Sequence, residues 1–257
     1  MKHQVIYLPV VAALILFASC KKDSGSNPSS GNTTRIKSIS TQVTSPTIGN
    51  SNETINFNYD AQGRIVSLID AANPGTKNIY TYASNNQFTV DGYYSNVLQN
   101  HFVLFLNSNL QQDSSYQYNN TKDTASDKFT YTYNSKNQII TSTDKEVSSD
   151  SAGYHSTYIT TTQYTYDTSG NIVSTSDNFG NVTTYTYYPN LKYNAPLYTS
   201  PVKFFYGNYI KTETSNSFGS IATITYTYTF DSQNRLSTSN AVASDGSGSV
   251  LTTYTYY

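Results

Sequence analysis

Twenty-six tyrosines and no tryptophan stand among 257 residues, and phenol rings are the groups here best suited to meet a ligand. Tyr131, Tyr133, Tyr164, Tyr166, Tyr185 and Tyr187 recur as Tyr-Thr-Tyr triplets. Rows of such rings can stack on sugars while their hydroxyls hydrogen-bond. Other chemistries have thinner support. His101 and His155 are far apart, with no cysteine partner and no His-x-x-x-His spacing to hold a metal. Asp123, Asp127 and Asp150 lack the Asp-x-Asp-x-Asp-Gly order of a calcium loop. No Gly-x-Ser-x-Gly elbow is present. Glu53, Glu146 and Glu213 are the only glutamates available for paired-carboxylate hydrolysis of a glycoside. The stretch Asp245-Gly-Ser-Gly-Ser249 has no lysine and no helix after it to cradle phosphate. The expectation is a non-catalytic protein with no metal and no cofactor.

The elements that carry these tyrosines are written as a repeat. Phe57-Asn-Tyr59-Asp60-Ala-Gln-Gly63-Arg64-Ile65 returns as Tyr80 to Phe88, Tyr131 to Ile139, Tyr164 to Ile172 and Tyr228 to Leu236. The aromatic-x-aromatic start is a period-2 strand. Asp or Asn then opens a turn, and Gly or Asn three places later suits the φ > 0 position that closes a G1 bulge. This turn pairs Tyr59 with Ile65, Tyr82 with Phe88, Tyr133 with Ile139, Tyr166 with Ile172 and Phe230 with Leu236. Degenerate copies follow at Val103 to Gln111, with an Asn-rich turn, and at Tyr185 to Leu191, with a shortened one. Tyr254 to Tyr257 is half a copy. The predicted fold is all-β, an antiparallel meander of repeated hairpins forming an extended or curved, largely single-layer sheet. A two-layer sandwich would need more Val, Ile and Leu. Because the strands alternate Tyr with Thr and Ser, they lack the apolar outer band of a transmembrane barrel.

The phrase at positions 57 to 65 resembles the YD repeat of RHS-type proteins, and the resemblance covers most of residues 53 to 257. It implies a curved sheet built of hairpins, without enclosure of a toxin.

Residues 1–19 predict a lipoprotein signal peptide, with an apolar run from Val5 to Phe17 too short to span a bilayer. Phe17-Ala-Ser-Cys20 resembles a bacterial lipobox, and Cys20, the single cysteine, is the expected lipid attachment site. Lys21-Lys22-Asp23 resembles the export signal of surface lipoproteins of Bacteroidota type. Residues 20–34 form the lipidated end and a Ser/Gly/Asn tether, whose Ser24 to Thr34 part spans about 20 Å as a random coil. Residues 35–257 form the repeat domain. Asp123-Thr124-Ala125 and Asp150-Ser151-Ala152 resemble O-glycosylation motifs, which makes Thr124 and Ser151 candidate acceptors.

A net charge of −1 gives no footprint for nucleic acid. The expected protein is an outer-membrane lipoprotein, exposed at the cell surface or else facing the periplasm. Its expected role is a binding or adhesion module, whose partners are the membrane through its lipid and a glycan or surface protein. The alternatives are a structural or accessory lipoprotein of an envelope complex, and a surface glycoside hydrolase.

Overall fold

The computed structural model describes residues 35–47, 49–119, 125–149, 155–193 and 207–257. Its strands are β1 Ile36–Thr44, β2 Ser51–Tyr59, β3 Ile65–Asp70, β4 Lys77–Ser84, β5 Gln87–Tyr94, β6 Val97–Leu106, β7 Gln112–Asn119 and β8 Ala125–Tyr133. They continue as β9 Ile139–Ser149, β10 His155–Tyr166, β11 Ile172–Asp177, β12 Val182–Lys192, β13 Asn208–Ser217, β14 Ser220–Phe230, β15 Leu236–Ala243 and β16 Ser249–Tyr256. Each strand pairs antiparallel with its neighbours in sequence, and β16 pairs with β1.

The expected hairpin register holds in all five copies: Tyr59 faces Ile65, Tyr82 faces Phe88, Tyr133 faces Ile139, Tyr166 faces Ile172 and Phe230 faces Leu236. The turn works as a small hydrogen-bonded unit. Asp60 N–H donates to the Arg64 carbonyl at 2.9 Å, Gly63 N–H donates to the Asp60 carbonyl at 2.9 Å, and Arg64 N–H donates to Asp60 Oδ1 at 2.8 Å. The same three bonds recur at 134–138, 167–171 and 231–235. Gly63, Asn137, Gly170 and Asn234 have φ of 81°, 61°, 85° and 59°, the left-handed region that Gly and Asn tolerate best. The second copy differs, because Ser84 pairs with Gln87 and leaves Asn85-Asn86 as a two-residue turn.

A Gly170→Val substitution is expected to cost about 1–2 kcal/mol in urea unfolding, through backbone strain. A Cβ at Gly170 would meet only the Gln138 amide nitrogen at 3.4 Å. Gly170→Asn should therefore retain most of the stability, and an unchanged midpoint for valine would contradict the turn assignment.

Two degenerate copies are corrected. The third unit is shifted by one residue: Asn107 makes the turn bonds to Leu110 and Gln111, and Leu110 takes φ of 59°. Tyr185 to Leu191 has no shortened turn, because β12 runs on through Pro189 to Lys192.

The expected open sheet is also corrected: it closes into a sixteen-strand barrel. Closure follows from the half copy at the end of β16. Tyr256 faces Ile36, as Tyr59 faces Ile65, and Tyr257 N–H donates to the Arg35 carbonyl at 3.0 Å, as Asp60 does to Arg64. Arg35-Ile36 is thus the missing second half of the last repeat. Joining the halves removes both edge strands, which would otherwise expose unpaired backbone groups.

One face of this single layer holds the buried apolar side chains, and that identifies it as the interior. Side chains converge on a concave face and splay on a convex one. At the repeat-turn end, a residue opening each odd-numbered strand is almost fully buried: Ile36, Ile65, Phe88, Gln112, Ile139, Ile172, Tyr209 and Leu236, each 4% exposed or less. Phe57, Leu68, Tyr80, Val90 and Leu104 extend the core along the β1–β6 sector. The opposite face is hydroxyl-rich. Ser38–Thr255, Ser40–Thr54, Thr165–Ser174, Thr186–Thr212, Thr214–Thr223 and Thr229–Thr238 pair across strands at 2.6–3.0 Å. This is why Thr stands between the two aromatics of a repeat: the rings go inside, and the hydroxyl joins a cross-strand pair outside.

Candidate functional site

Tyr131 and Tyr133 on β8, Tyr164 and Tyr166 on β10, and Tyr185 and Tyr187 on β12 share the inner wall. They come from alternate strands, so the rows are about 10 Å apart, twice the strand spacing. Shorter side chains fill the gaps, Ser142 on β9 and Thr175 on β11.

The first row is committed to the fold. Tyr133, Tyr166 and Tyr187 donate their hydroxyls to the carbonyls of Gln112 at 2.6 Å, Ile139 at 2.9 Å and Ile172 at 2.6 Å. Tyr59, Tyr82 and Tyr256 do the same to Ile36, Ile65 and Leu236. Each latch ties one hairpin to the residue that opens the preceding strand. Leu106 and Phe230 occupy the place in β6 and β14 and have no hydroxyl to give. Three guanidiniums lie over these rings: Arg35 over Tyr59, Arg64 over Tyr82 and Arg235 over Tyr256, at 5.5, 4.3 and 4.3 Å.

The second row keeps more side-chain partners than backbone ones. Tyr164 shares a hydrogen bond with Ser142 Oγ at 3.1 Å, and Gln112 Nε2 donates to the Tyr131 hydroxyl at 3.4 Å. Tyr185 bonds the side chain of Thr175, and Tyr226 donates to Glu213 Oε2 at 3.0 Å. Burial, then Glu213, pushes Tyr185 up to about 12. Burial, then Tyr164, does the same for Tyr166. Tyr131, Tyr133 and Tyr187 are raised further by burial, then by the neighbouring phenols of Tyr164, Tyr131 and Tyr185 respectively. These phenols stay protonated at neutral pH, so the wall can stack and hydrogen-bond but offers no phenolate base.

Most ladder carboxylates face inward, although Asp91 faces outward with His101. In the strand ladders Glu53, Asp70, Asp127, Asp144, Glu146 and Glu213 point inward. Lys77, Lys128 and Lys145 point outward. Burial, then Asp127 and Glu146, pushes Asp144 up to about 6, and its buried Oδ1 has no hydrogen-bond partner among the described residues. Burial, then Asp70, raises Glu53.

The turn carboxylates move the other way. Burial alone would raise Asp60 and Asp167, but hydrogen bonds from Arg64 and Asn171 outweigh it and hold both below the ordinary value. The Arg235 N–H lowers Asp231. The signs set two windows. A folded pKa raised above its unfolded value means that the charged form is disfavoured in the fold, so stability increases as pH falls through about 6. The depressed turn carboxylates stabilise above their unfolded pKa, and that contribution is lost as pH falls through their folded values. The melting temperature should therefore rise from about pH 8 to about pH 5 and fall steeply below about pH 4. Asp144→Asn should melt higher at the alkaline end and flatten the rise. An unaltered profile in this variant would contradict the assignment.

The remaining candidates are dispersed. His101 pairs through Nδ1 with Asp91 on the outer wall, and its ring centroid lies 5.7 Å from that of Tyr118. Phe105 and Tyr116 pack edge-to-face nearby, under Lys128, so this sector departs from the hydroxyl pattern. His155 opens β10, its backbone opposite Ser149. Among the described residues no three His, Cys, Asp or Glu gather as metal ligands. Cys20, Thr124 and Ser151 lie outside the described residues. The latches went unseen in sequence, because the separation from each Tyr back to the residue opening the preceding strand varies from 15 to 27 residues. A sixth copy of the turn at Asp177–Asn181, at the opposite end of the barrel, was legible in Asp177-Asn-Phe-Gly180-Asn181.

No protein-family model matches the sequence, and no curated protein is similar to it. Solved structures share the fold. A porin-like protein from Bacteroides uniformis superposes with a TM-score of 0.61 at 16% identity, over 88% of this chain and 98% of that one. A porin-like protein from Bacteroides vulgatus does so with 0.59 at 12% identity, over 86% and 98%. This overturns the expected membership in the YD-repeat family of RHS proteins. The physical reason is closure: once Arg35-Ile36 completes the last repeat, no edge is left on which further repeats could extend a shell.

Proposed function

We propose that the chain is a non-catalytic envelope protein, a barrel tethered to the outer membrane by lipid on Cys20 and standing in water at the cell surface. The observation that carries this is the outer wall. A barrel that spans a bilayer turns an apolar band about 25 Å tall toward lipid. Here that position holds paired hydroxyls, Thr186 with Thr212 and Thr229 with Thr238, while the rings of the repeat triplets are inside. The fold shared with porin-like proteins supports the architecture; the wall chemistry favours tethering over spanning.

The binding role rests on the second tyrosine row. Tyr131, Tyr164 and Tyr185 offer uncharged rings and hydroxyls beside the inward carboxylates of Asp144 and Glu213, a surface suited to a glycan, with Tyr133, Tyr166 and Tyr187 as its rigid backing. Thr124 and Ser151 are proposed as glycan acceptors, which intact-mass analysis of native protein tests.

The direct experiment is fractionation. A chain exported behind an ordinary cleavable signal in place of residues 1–20 is expected in the soluble envelope fraction after a carbonate wash, where the native chain stays with the outer membrane. Retention of this variant in the washed membrane would remove the tethering proposal.

A further inference from the structure

Resting on the glycan reading above, we propose that the inner wall from β8 to β14 selects a glycan that carries protonated amines, as an oligomer of glucosamine does, over a neutral or acidic one. The second tyrosine row supplies the observation. In it, the ring on an even-numbered strand is held by a short side chain on the odd-numbered strand before it. Tyr164 pairs with Ser142 at 3.1 Å, Tyr185 with Thr175, and Tyr254 with Ser239 at 3.5 Å. At the same place in β13 stands Glu213, which accepts from the Tyr226 hydroxyl at 3.0 Å. A serine would hold Tyr226 as the others hold their rings. The carboxylate instead adds a half-buried charge, and no lysine or arginine pairs with it among the described residues. An uncompensated charge of this kind costs the fold. The fold therefore does not explain Glu213, and a cationic ligand does.

The chain withholds its own cations from this arc. Its three arginines are Arg35, Arg64 and Arg235. Each closes a repeat turn and lies over a ring of the following copy, Tyr59, Tyr82 and Tyr256 respectively. In the intervening copies the closing position holds an uncharged amide, Gln111, Gln138 or Asn171, fixed by bonds to Asn107, Asn134 and Asp167. Lys128 and Lys145 face outward. The inward ladders of β8, β9 and β13 are left with Asp127, Asp144, Glu146 and Glu213.

Unmatched acceptors flank Tyr131. Gln112 is 2% exposed, and its Nε2 donates to Ser115 Oγ at 2.8 Å and to the Tyr131 hydroxyl at 3.4 Å. Its Oε1 has no partner among the described residues. Asp144 Oδ1 has none either, and Asp144 lies near enough to raise the Tyr131 phenol. Buried acceptors without donors are costly. An ammonium group brings three donors and no acceptor.

Spacing separates the kinds of cation. Asp144 on β9 and Glu213 on β13 lie four strands apart, about 19 Å along the wall, with the rings of Tyr164 and Tyr185 on strands between them. A metal ion needs ligands that converge, and no three do so among the described residues. A chain that alternates ring faces with amines matches a wall that alternates tyrosines with acceptors. Phenol rings stack on such faces and attract ammonium, as three rings of this repeat already attract guanidinium. A uronic acid would meet only like charge.

The test is calorimetric titration of the full chain just below neutral pH with hexamers of glucosamine, N-acetylglucosamine and galacturonic acid, and with hexalysine. The glucosamine hexamer is expected to bind about tenfold or more tightly than its N-acetylated counterpart, and the galacturonic acid hexamer not at all. Glu213→Gln, which keeps an acceptor for Tyr226, and Asp144→Asn should each weaken the glucosamine hexamer about tenfold. Asp91→Asn, the same charge change on the outer wall, should leave it unaltered. Equal affinity for the two glucosamine-type hexamers overturns the selectivity and leaves the glycan reading intact. A loss in Asp91→Asn equal to that in Glu213→Gln also overturns it, since attraction would then be general. Hexalysine binding as tightly as the glucosamine hexamer would make the ligand a basic peptide and overturns it as well. Binding of no hexamer overturns the inference and the glycan reading together.

Discussion

Tyr209→Ala is expected to lower the unfolding free energy by about 3–5 kcal/mol, the range for deleting a buried aromatic side chain. Tyr209 is 1% exposed. Its ring lies 4.6 Å from Tyr228, 5.0 Å from Tyr193 and 5.5 Å from Phe230, centroid to centroid. Few places in a single-layer sheet set one ring against three others. They gather here because β13 opens where β12 loses register, between Tyr187 and Lys192. The variant would leave a cavity and three aromatic partners without their shared neighbour. Equilibrium urea unfolding reads the loss. A change below about 1 kcal/mol, typical of a surface position, would mean that the tyrosine face is not the interior.

Leu104→Ala should cost about 2–5 kcal/mol by the same measurement. Leu104 is 1% exposed and faces Phe88 across β5–β6, within the cluster that also contains Tyr80 and Val90. Its sequence neighbour Phe105 points to the other wall, where it packs against Tyr116 and pairs with Gln87. Phe105→Ala should therefore cost less than Leu104→Ala, although phenylalanine is the larger residue. If the order is reversed, the two faces have been assigned the wrong way round.

Local chemistry was legible in the sequence, and closure was not. The alternation of Tyr with Thr, and the Asp or Asn followed three places on by Gly or Asn, state which residues pair across a hairpin. The five predicted pairs are those observed. A turn written with the wrong residue hid one copy: Leu110 takes the left-handed position that Asn109 was expected to supply, because Asn107 makes the turn hydrogen bonds and so fixes the register. The join between β16 and β1 was hidden for another reason. Tyr254-Thr-Tyr256 and Arg35-Ile36 are two halves of one repeat, separated by the length of the domain, and a motif read along the chain does not meet itself end to end. The tyrosines of the triplets share one face, but alternate strands carry the rings and intervening strands carry Ser142 and Thr175, which the triplets alone do not state. The latches follow from that arrangement, because a ring must lean across the next strand to reach a carbonyl on it.

The same inward–outward division links fold to function. Aromatic burial inside, hydroxyl pairing outside and acidic residues on the inner ladders give a barrel whose outer wall is rich in paired hydroxyls.

The most direct measurement of that division is thiol accessibility on the outer wall. Thr227→Cys, on the hydroxyl face of β14 opposite Asn240, is labelled with a membrane-impermeant maleimide in open outer-membrane fragments, against the native chain as background. The account predicts the same fast labelling with and without detergent. Labelling that appears only after detergent would place this wall in lipid and contradict it.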